Sequence, residues 1–311
     1  MGNNAGHAIG WRIGLECPHV LMRFWNCTQL DLFMTIPFIK PFAAGILLLH
    51  AAGAFALQLG SEHAIVVSND SGAILFEKSA GEPVPIASLT KLMTAMVVLD
   101  SKPDMNEKIA IDSADVDMLK HSKSHVPVGT TLPRKQVLQL ALMSSDNRAA
   151  AALARTYAGG NAAFLAAVNA KIKALGMTHT VIREPTGLSP ENTSSATDLA
   201  KMAIAAAAYP DIVNITTNPS DRIQMNGRSV AFHNTNHLVG SKGWDVLLSK
   251  TGFTNEAGHC LIMRIKQAGQ NATLVLLNAK ATAATRFDAL NIRRLLTNPV
   301  QAQSSTANPR L

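Results

Sequence analysis

Pro85-Ile86-Ala87-Ser88-Leu89-Thr90-Lys91-Leu92-Met93-Thr94-Ala95 leads out of a turn and into an apolar helical pattern. Leu89, Leu92, Met93, Met96, Val97 and Leu99 recur at helical spacing and predict a helix over 88–100. Residues three apart on a helix lie about 60° apart around its axis, so Ser88 and Lys91 share a face. A capping box would have Glu or Gln at the fourth place. Lys91 stands there instead, and a cation in the first turn opposes the helix dipole. That placement is useful where a lysine must lose its proton and serve as a base. Alone, Ser-x-x-Lys is a weak signal, because average composition yields about one in a chain of this size.

Working outward, 63–68 and 73–77 are short β-type runs around Asn69-Asp70-Ser71-Gly72, a hairpin pattern. Residues 101–134 are mixed and turn-rich. Two helical patterns between 134 and 158 flank Ser144-Ser145-Asp146-Asn147, the second rich in alanine. Further helices are predicted over 162–175 and 196–208, the latter with Thr197 as cap and Asp198 in its first turn. Asn226-Gly227 between 221–225 and 229–233 predicts a second hairpin. Strand-like runs follow at 244–252, 259–266 and 272–279, then a closing helix over 288–296.

Strands, then helices, then strands predict an α+β fold: an antiparallel sheet flanked by helices, with a helical insertion. The expected division is a split sheet domain at 57–100 and 235–297, a mainly helical insertion at 101–234 and a flexible tail at 298–311.

Of 311 residues 47% are hydrophobic and 16% charged, which provides for a core and excludes disorder over most of the length. Only 5% are aromatic, and the net charge of +7 is not concentrated in any basic run. A nucleic-acid partner is therefore not expected, and a diffuse positive field suits an anionic polymer better. Cys17, Cys27 and Cys260 show no Cys-x-x-Cys spacing, and no His-Glu-x-x-His occurs. Neither a disulfide framework nor a metal is expected, and nothing calls for a cofactor.

A start at Met34 would give a secretory signal: Lys40, an apolar stretch over 42–52, and Ala54-Phe55-Ala56 for signal peptidase. Residues 1–56 are thus expected to be leader and signal peptide, with 1–33 the product of a start assigned too far upstream. The apolar run is too short for a confident membrane span of about 20 residues. Periplasmic export would leave one cysteine, Cys260, in the mature chain.

Two more triplets stand out. Ser145-Asp146-Asn147 sits between two helices and could be an ordinary N-cap cluster, while Lys250-Thr251-Gly252 could be a strand end with a glycine turn. Each occurs once, after Ser88-Leu89-Thr90-Lys91, in the order shared by class A β-lactamases and penicillin-binding proteins. Over about 64–296 the sequence resembles the serine D-alanyl-D-alanine peptidases among the low-molecular-mass penicillin-binding proteins. Leu142-Met143-Ser144-Ser145-Asp146-Asn147-Arg148-Ala149-Ala150 and Lys250-Thr251-Gly252-Phe253-Thr254-Asn255-Glu256-Ala257-Gly258-His259-Cys260 carry the likeness with the first motif. Glu184-Pro185-Thr186-Gly187-Leu188-Ser189 and Asn234-Thr235-Asn236-His237-Leu238 add to it. These stretches look most like the endopeptidase branch, often called penicillin-binding protein 7.

The resemblance implies a β-lactamase/DD-peptidase-like fold and an acyl-enzyme on Ser88, with Lys91 as base once burial, Lys250 and the helix N-terminus lower its pKa. It implies that Ser145 and Lys250 relay the proton to the leaving amine and that Asn147 positions Lys91 and the substrate. The N–H groups of Ser88 and Phe253 would form an oxyanion hole, and Thr251 with its strand, through Gly252, would bind an extended substrate. Implied partners are peptidoglycan peptides, β-lactam antibiotics as inhibitors, and the cell wall through loose association. Asp146 stands where that branch often has Glu. Arg286 is near the place of a carboxylate-holding arginine in some relatives but out of register, so it is not assigned to the site.

Rival readings are weaker. A Ser-His-Asp hydrolase lacks a Gly-x-Ser-x-Gly elbow, and His259 reads as packing or surface. A class A β-lactamase needs Glu with Asn four residues later, but Leu188 stands four after Glu184, which reads instead as structural. A non-catalytic penicillin sensor would need membrane helices, and beyond residue 56 no apolar run approaches 18 residues. A D-alanyl-D-alanine carboxypeptidase remains the nearest alternative to the endopeptidase.

Overall fold

The computed structural model describes residues 57–297. The expected signal peptide and leader at 1–56 and the tail at 298–311 lie outside the described residues.

The chain begins with β1 (Ser61–Ser68) and β2 (Ile74–Lys78), joined by the expected tight turn. A short strand, β3 (Val84–Pro85), and one turn of 3-10 helix at Ala87–Leu89 lead into α1 (Thr90–Asp100). The turn-rich stretch holds two small strands, β4 (Lys108–Ala110) and β5 (Thr131–Pro133), paired with each other. Helices α2 (Arg134–Met143), α3 (Asn147–Arg155) and α4 (Gly160–Ala174) follow, then β6 (Thr193–Ser194), which pairs with β3. After α5 (Ala196–Ala206) and α6 (Pro210–Thr217) comes the Asn226-Gly227 hairpin of β7 (Ser220–Met225) and β8 (Arg228–His233). The chain closes with β9 (Asp245–Thr254), β10 (Gly258–Gln267), β11 (Gln270–Ala279) and α7 (Thr282–Thr297).

The main sheet is antiparallel, in the order β2-β1-β11-β10-β9, so strands from both ends of the chain share it. Both faces are covered. Ile65, Ile262, Val275 and Leu277 pack toward α1–α6, while Ala64, Val66, Met263, Leu274 and Leu276 pack against Ala289, Ile292 and Leu296 of α7. Burial on both sides is why β1 and β11 read as near-continuous apolar runs instead of alternating.

The α1 helix departs from its expected one-sided stripe: Thr90 to Val98 are all buried. It runs through the middle of the larger core, surrounded by other helices, so its polar groups need internal partners. Thr94 donates to the Pro185 carbonyl at 2.7 Å and Thr90 to that of Ala87 at 2.9 Å. Three other helices differ from the sequence reading. Ser195, not Thr197, caps α5 by accepting from the Asp198 N–H at 3.1 Å, because the helix begins at Ala196, as expected, and Thr197 therefore falls inside its first turn. The closing helix starts at Thr282, six residues before the expected start, and carries Asp288 inward to accept from the Gly60 and Ser61 N–H groups at 2.8 Å. The α6 helix is additional to the sequence reading; Pro210 at its first position is the signal for it.

Candidate active site

Ser88 sits in the 3-10 turn ahead of α1, where the backbone is held in an uncommon shape. Ala87 has φ +46°, in the left-handed region that favours glycine. Two glycines press on this turn. A Cβ on Gly187, itself at φ +85°, would come within 1.9 Å of the Ala87 carbonyl oxygen. A Cβ on Gly252 would come within 3.1 Å of the Ser88 nitrogen, so β9 lies directly against the nucleophile turn. This close approach explains the glycine that ends the third motif.

Lys91 lies one turn along, 1% exposed, with each ammonium proton directed at an acceptor. It donates to Ser88 Oγ at 2.8 Å, Asn147 Oδ1 at 2.7 Å and the Thr186 carbonyl at 2.6 Å. Burial pushes its pKa down to about 8, against the pull of Glu184, Asp146 and Asp117. The sequence reading expected the charge of Lys250 to help lower it; here burial leads, and the Coulombic influences on Lys91 are carboxylates. The repulsion appears instead on Lys250, which burial, and then the charge of Lys91, hold well below the ordinary lysine range.

Ser145 and Asn147 come from the break between α2 and α3. Ser145 has φ +58°, and Asp146 caps α3 through the Ala149 N–H at 3.0 Å while accepting from Ser124 at 2.7 Å. The N-cap reading of this triplet is thus correct for Asp146, and the cap is what aims its two neighbours. Asn147 presents its oxygen to Lys91 and donates from its amide to Ser122 Oγ at 2.8 Å. Lys250, also 1% exposed, donates to Ser145 Oγ at 2.9 Å and to the Thr251 carbonyl at 2.8 Å. Two buried lysines therefore each reach the hydroxyl of a serine that lines the cleft.

Glu184 is consumed by its own loop. Its carboxylate accepts from the Thr186 N–H at 2.7 Å, the Gly187 N–H at 2.6 Å and Asn192 Nδ2 at 2.9 Å. That is a turn-organising role, consistent with the structural reading of this residue.

The cleft above these groups has a volume of about 360 Å³ and is lined by Ser88, Ser145, Asn147, Thr251, Gly252 and Phe253 among the expected residues. Lys91 and Lys250 lie beneath it. His259 packs as the sequence reading has it, its ring stacked on that of Phe253 with centroids 4.4 Å apart, and it does so in the lining of the cleft. Register explains this, since β9 and β10 pair Phe253 with His259. Thr282 and Thr285 of α7 and Thr235 also line it, and none of the three is assigned a role by sequence alone. Cys260 is buried at the cleft floor, where burial pushes its thiol up to about 11 and leaves it unreactive. A second cavity of about 450 Å³ lies on the other side of Asn147, between Met118, Phe164, Arg183 and Thr186.

A serine bonded to a buried lysine, with a second serine–lysine pair across a sheet-edge cleft, defines a serine acyl-transfer enzyme of the penicillin-binding type. The D-alanyl-D-alanine carboxypeptidase family profile matches residues 50–281, and the chain belongs to that family as a serine DD-peptidase. It is 44% identical over 241 residues to a D-alanyl-D-alanine endopeptidase of Pseudomonas aeruginosa, covering 77% of this chain and 78% of that protein. It is 42% identical over 257 residues to a D-alanyl-D-alanine endopeptidase of Escherichia coli K12, covering 81% and 83%. Among solved structures, the Streptomyces K15 DD-transpeptidase superposes with a TM-score of 0.71 at 26% identity, covering 76% of this chain and 97% of that one. Penicillin-binding protein D2 of Listeria monocytogenes, in its cefotaxime-bound form, gives 0.66 at 27% identity, covering 77% and 98%.

Proposed function

We propose that the protein is a D-alanyl-D-alanine endopeptidase that hydrolyses peptidoglycan cross-links through a Ser88 acyl-enzyme. The Lys91–Ser88 contact of 2.8 Å, in a site where burial brings the lysine toward neutrality, carries the reading. In the neutral form Lys91 accepts the Ser88 proton as Oγ attacks the D-alanine carbonyl carbon. The N–H groups of Ser88 and Phe253 receive the developing oxyanion, typically worth about 100–1000-fold per donor. When the intermediate collapses, the C–N bond breaks and the proton that Lys91 took from Ser88 is relayed by way of Ser145 and Lys250 to the departing amine, which leaves Lys91 neutral again. Water then cleaves the ester and frees Ser88. Asn147 holds Lys91 in place, and β9 binds the extended peptide along Thr251 and Gly252.

The endopeptidase names of the two bacterial relatives favour a cross-link as the bond cut. A periplasmic location, reached through the leader at 1–56, and loose electrostatic attachment to the anionic wall complete the proposal; the net charge of +6 on the residues after 56 supports the latter. Among the described residues no helix is long and apolar enough to cross a membrane. Purified cross-linked muropeptide dimers and monomeric pentapeptides, assayed side by side, test the bond. Dimers should be converted to monomers. Release of free D-alanine with dimers left intact would replace endopeptidase by carboxypeptidase.

A further inference from the structure

We propose that Lys120 and Glu256 form a latch over the acyl-side end of the cleft, which makes them specificity-determining residues for donor peptides tethered to a polymer. Lys120 Nζ donates to Glu256 Oε1 at 2.7 Å, joining segments 136 residues apart in sequence. Glu256 sits in the turn between β9 and β10, just beyond Phe253, while Lys120 belongs to the connection between β4 and β5. Among the described residues no other ion pair joins the 101–234 insertion to β9, β10 or β11. The hydrogen bond from Lys120 also holds the Glu256 carboxyl below the usual carboxylate range.

The segment that carries Lys120 is fixed at its base and lightly held at its tip. The Asp117 carboxylate accepts from the N–H groups of Leu119, Lys120 and Ser122 at 2.8, 3.0 and 2.8 Å, which folds the tip into a turn. Ser122 Oγ accepts from Asn147 Nδ2 at 2.8 Å and Ser124 Oγ donates to Asp146 at 2.7 Å, so the turn is rooted in the second motif. Met118 and Leu119 are 75% and 61% exposed. Packing therefore contributes little at the tip, and the ion pair is what closes it onto the turn after β9.

The acyl-side peptide passes beneath this bridge. Protonation of the departing amine places it near the Ser145–Lys250 pair, so the donor peptide runs the other way along β9, past Phe253 toward Glu256. Asn147 and Phe253 both line the cleft. The ion pair joins the segment bonded to the first with the turn that follows the second. A short donor peptide with a free end, or a β-lactam, can enter under a closed bridge. A donor peptide attached to a glycan chain has no free end to thread, so it must be laid in from the side once Lys120 and Glu256 separate. An exposed ion pair suits this, because it holds weakly and parts without leaving a buried charge unpaired. This assignment rests on the peptidase reading above.

The test compares intact cross-linked sacculi with glycan-free peptide dimers and with acylation by a small penicillin. Glu256→Gln and Lys120→Gln should each raise the cleavage rate on sacculi about twofold to fivefold, the range one exposed ion pair can supply, and leave the other two rates unchanged. The two substitutions change the net charge in opposite directions, so a shared gain cannot come from attraction to the wall. The exchanged pair, Lys120→Glu with Glu256→Lys, should return to the wild-type rate. Joining Lys120→Cys to Glu256→Cys with a bismaleimide, after Cys17→Ser and Cys27→Ser and with Cys260 buried, fixes the bridge shut. Sacculi should then be spared, while dimers are still cut and penicillin still acylates Ser88. Unchanged sacculus rates in both single variants, or cleavage of sacculi by the cross-linked protein at the uncross-linked rate, would overturn the latch and leave the peptidase intact. So would a cross-link that blocks all three reactions. Failure of wild type to cleave either sacculi or dimers would instead overturn the peptidase reading on which the latch rests.

Discussion

At the scale of single residues, the chemistry depends on how far the protein keeps Lys91 from water. With a pKa of about 8, roughly a tenth of the lysine is neutral at pH 7. Acylation should therefore rise about tenfold per pH unit below that value and level off above it, which stopped-flow labelling with a β-lactam can follow. The same burial disfavours the proton in the folded state. Its penalty to stability is full below pH 8 and lifts as pH rises from about 8 toward the unfolded value of 10.5. Lys91→Arg keeps the charge but removes the titration, since arginine does not deprotonate near neutrality. Acylation in that variant should fall by about 100-fold or more with circular dichroism unchanged, and the pH dependence through 8 should vanish. Near-normal acylation would remove Lys91 from the role of base.

At the scale of elements, the nucleophile is positioned by a turn and a strand pressed together with no room for a side chain. Gly187→Ala must displace the Ala87 carbonyl, only 1.9 Å from the new Cβ, and must also hold φ +85°. We expect a loss of more than about 2 kcal/mol in urea unfolding together with slowed acylation, because the atoms that move adjoin Ser88. Gly129→Ala is the control: φ is +86° but nothing lies within 4 Å, so only the backbone penalty of about 1 kcal/mol applies. Equal losses in the two variants would contradict the contact. The element scale is also where sequence reading was strongest. Hairpins at Asn69–Gly72 and Asn226-Gly227 carry local turn chemistry, and the alanine run after Ser145 has a plain propensity for helix. Helix ends were harder. Whether Ser195 or Thr197 caps α5, or where α7 begins, depends on which side chain is drawn inward by Ala80 or by Gly60 and Ser61, and those partners lie far away in sequence.

At the scale of the whole molecule, one core spans the helices and one face of the sheet, so the three motifs are brought together by packing between segments up to 162 residues apart. That convergence could be read from the order of the motifs only through resemblance, since no periodicity reveals which helix start faces which strand. Residues without a motif escaped for the same reason. His259 reaches the cleft because strand register sets it opposite Phe253, and Thr235 because two buried asparagines fix its loop. The account as a whole stands on Ser88 as the atom acylated. Intact-mass analysis after incubation with a penicillin measures this most directly: wild type should gain the mass of one ring-opened β-lactam and hold it through the separation, and Ser88→Ala should gain nothing. An adduct that persists in Ser88→Ala, or rapid multiple turnover of the penicillin by wild type, would contradict it.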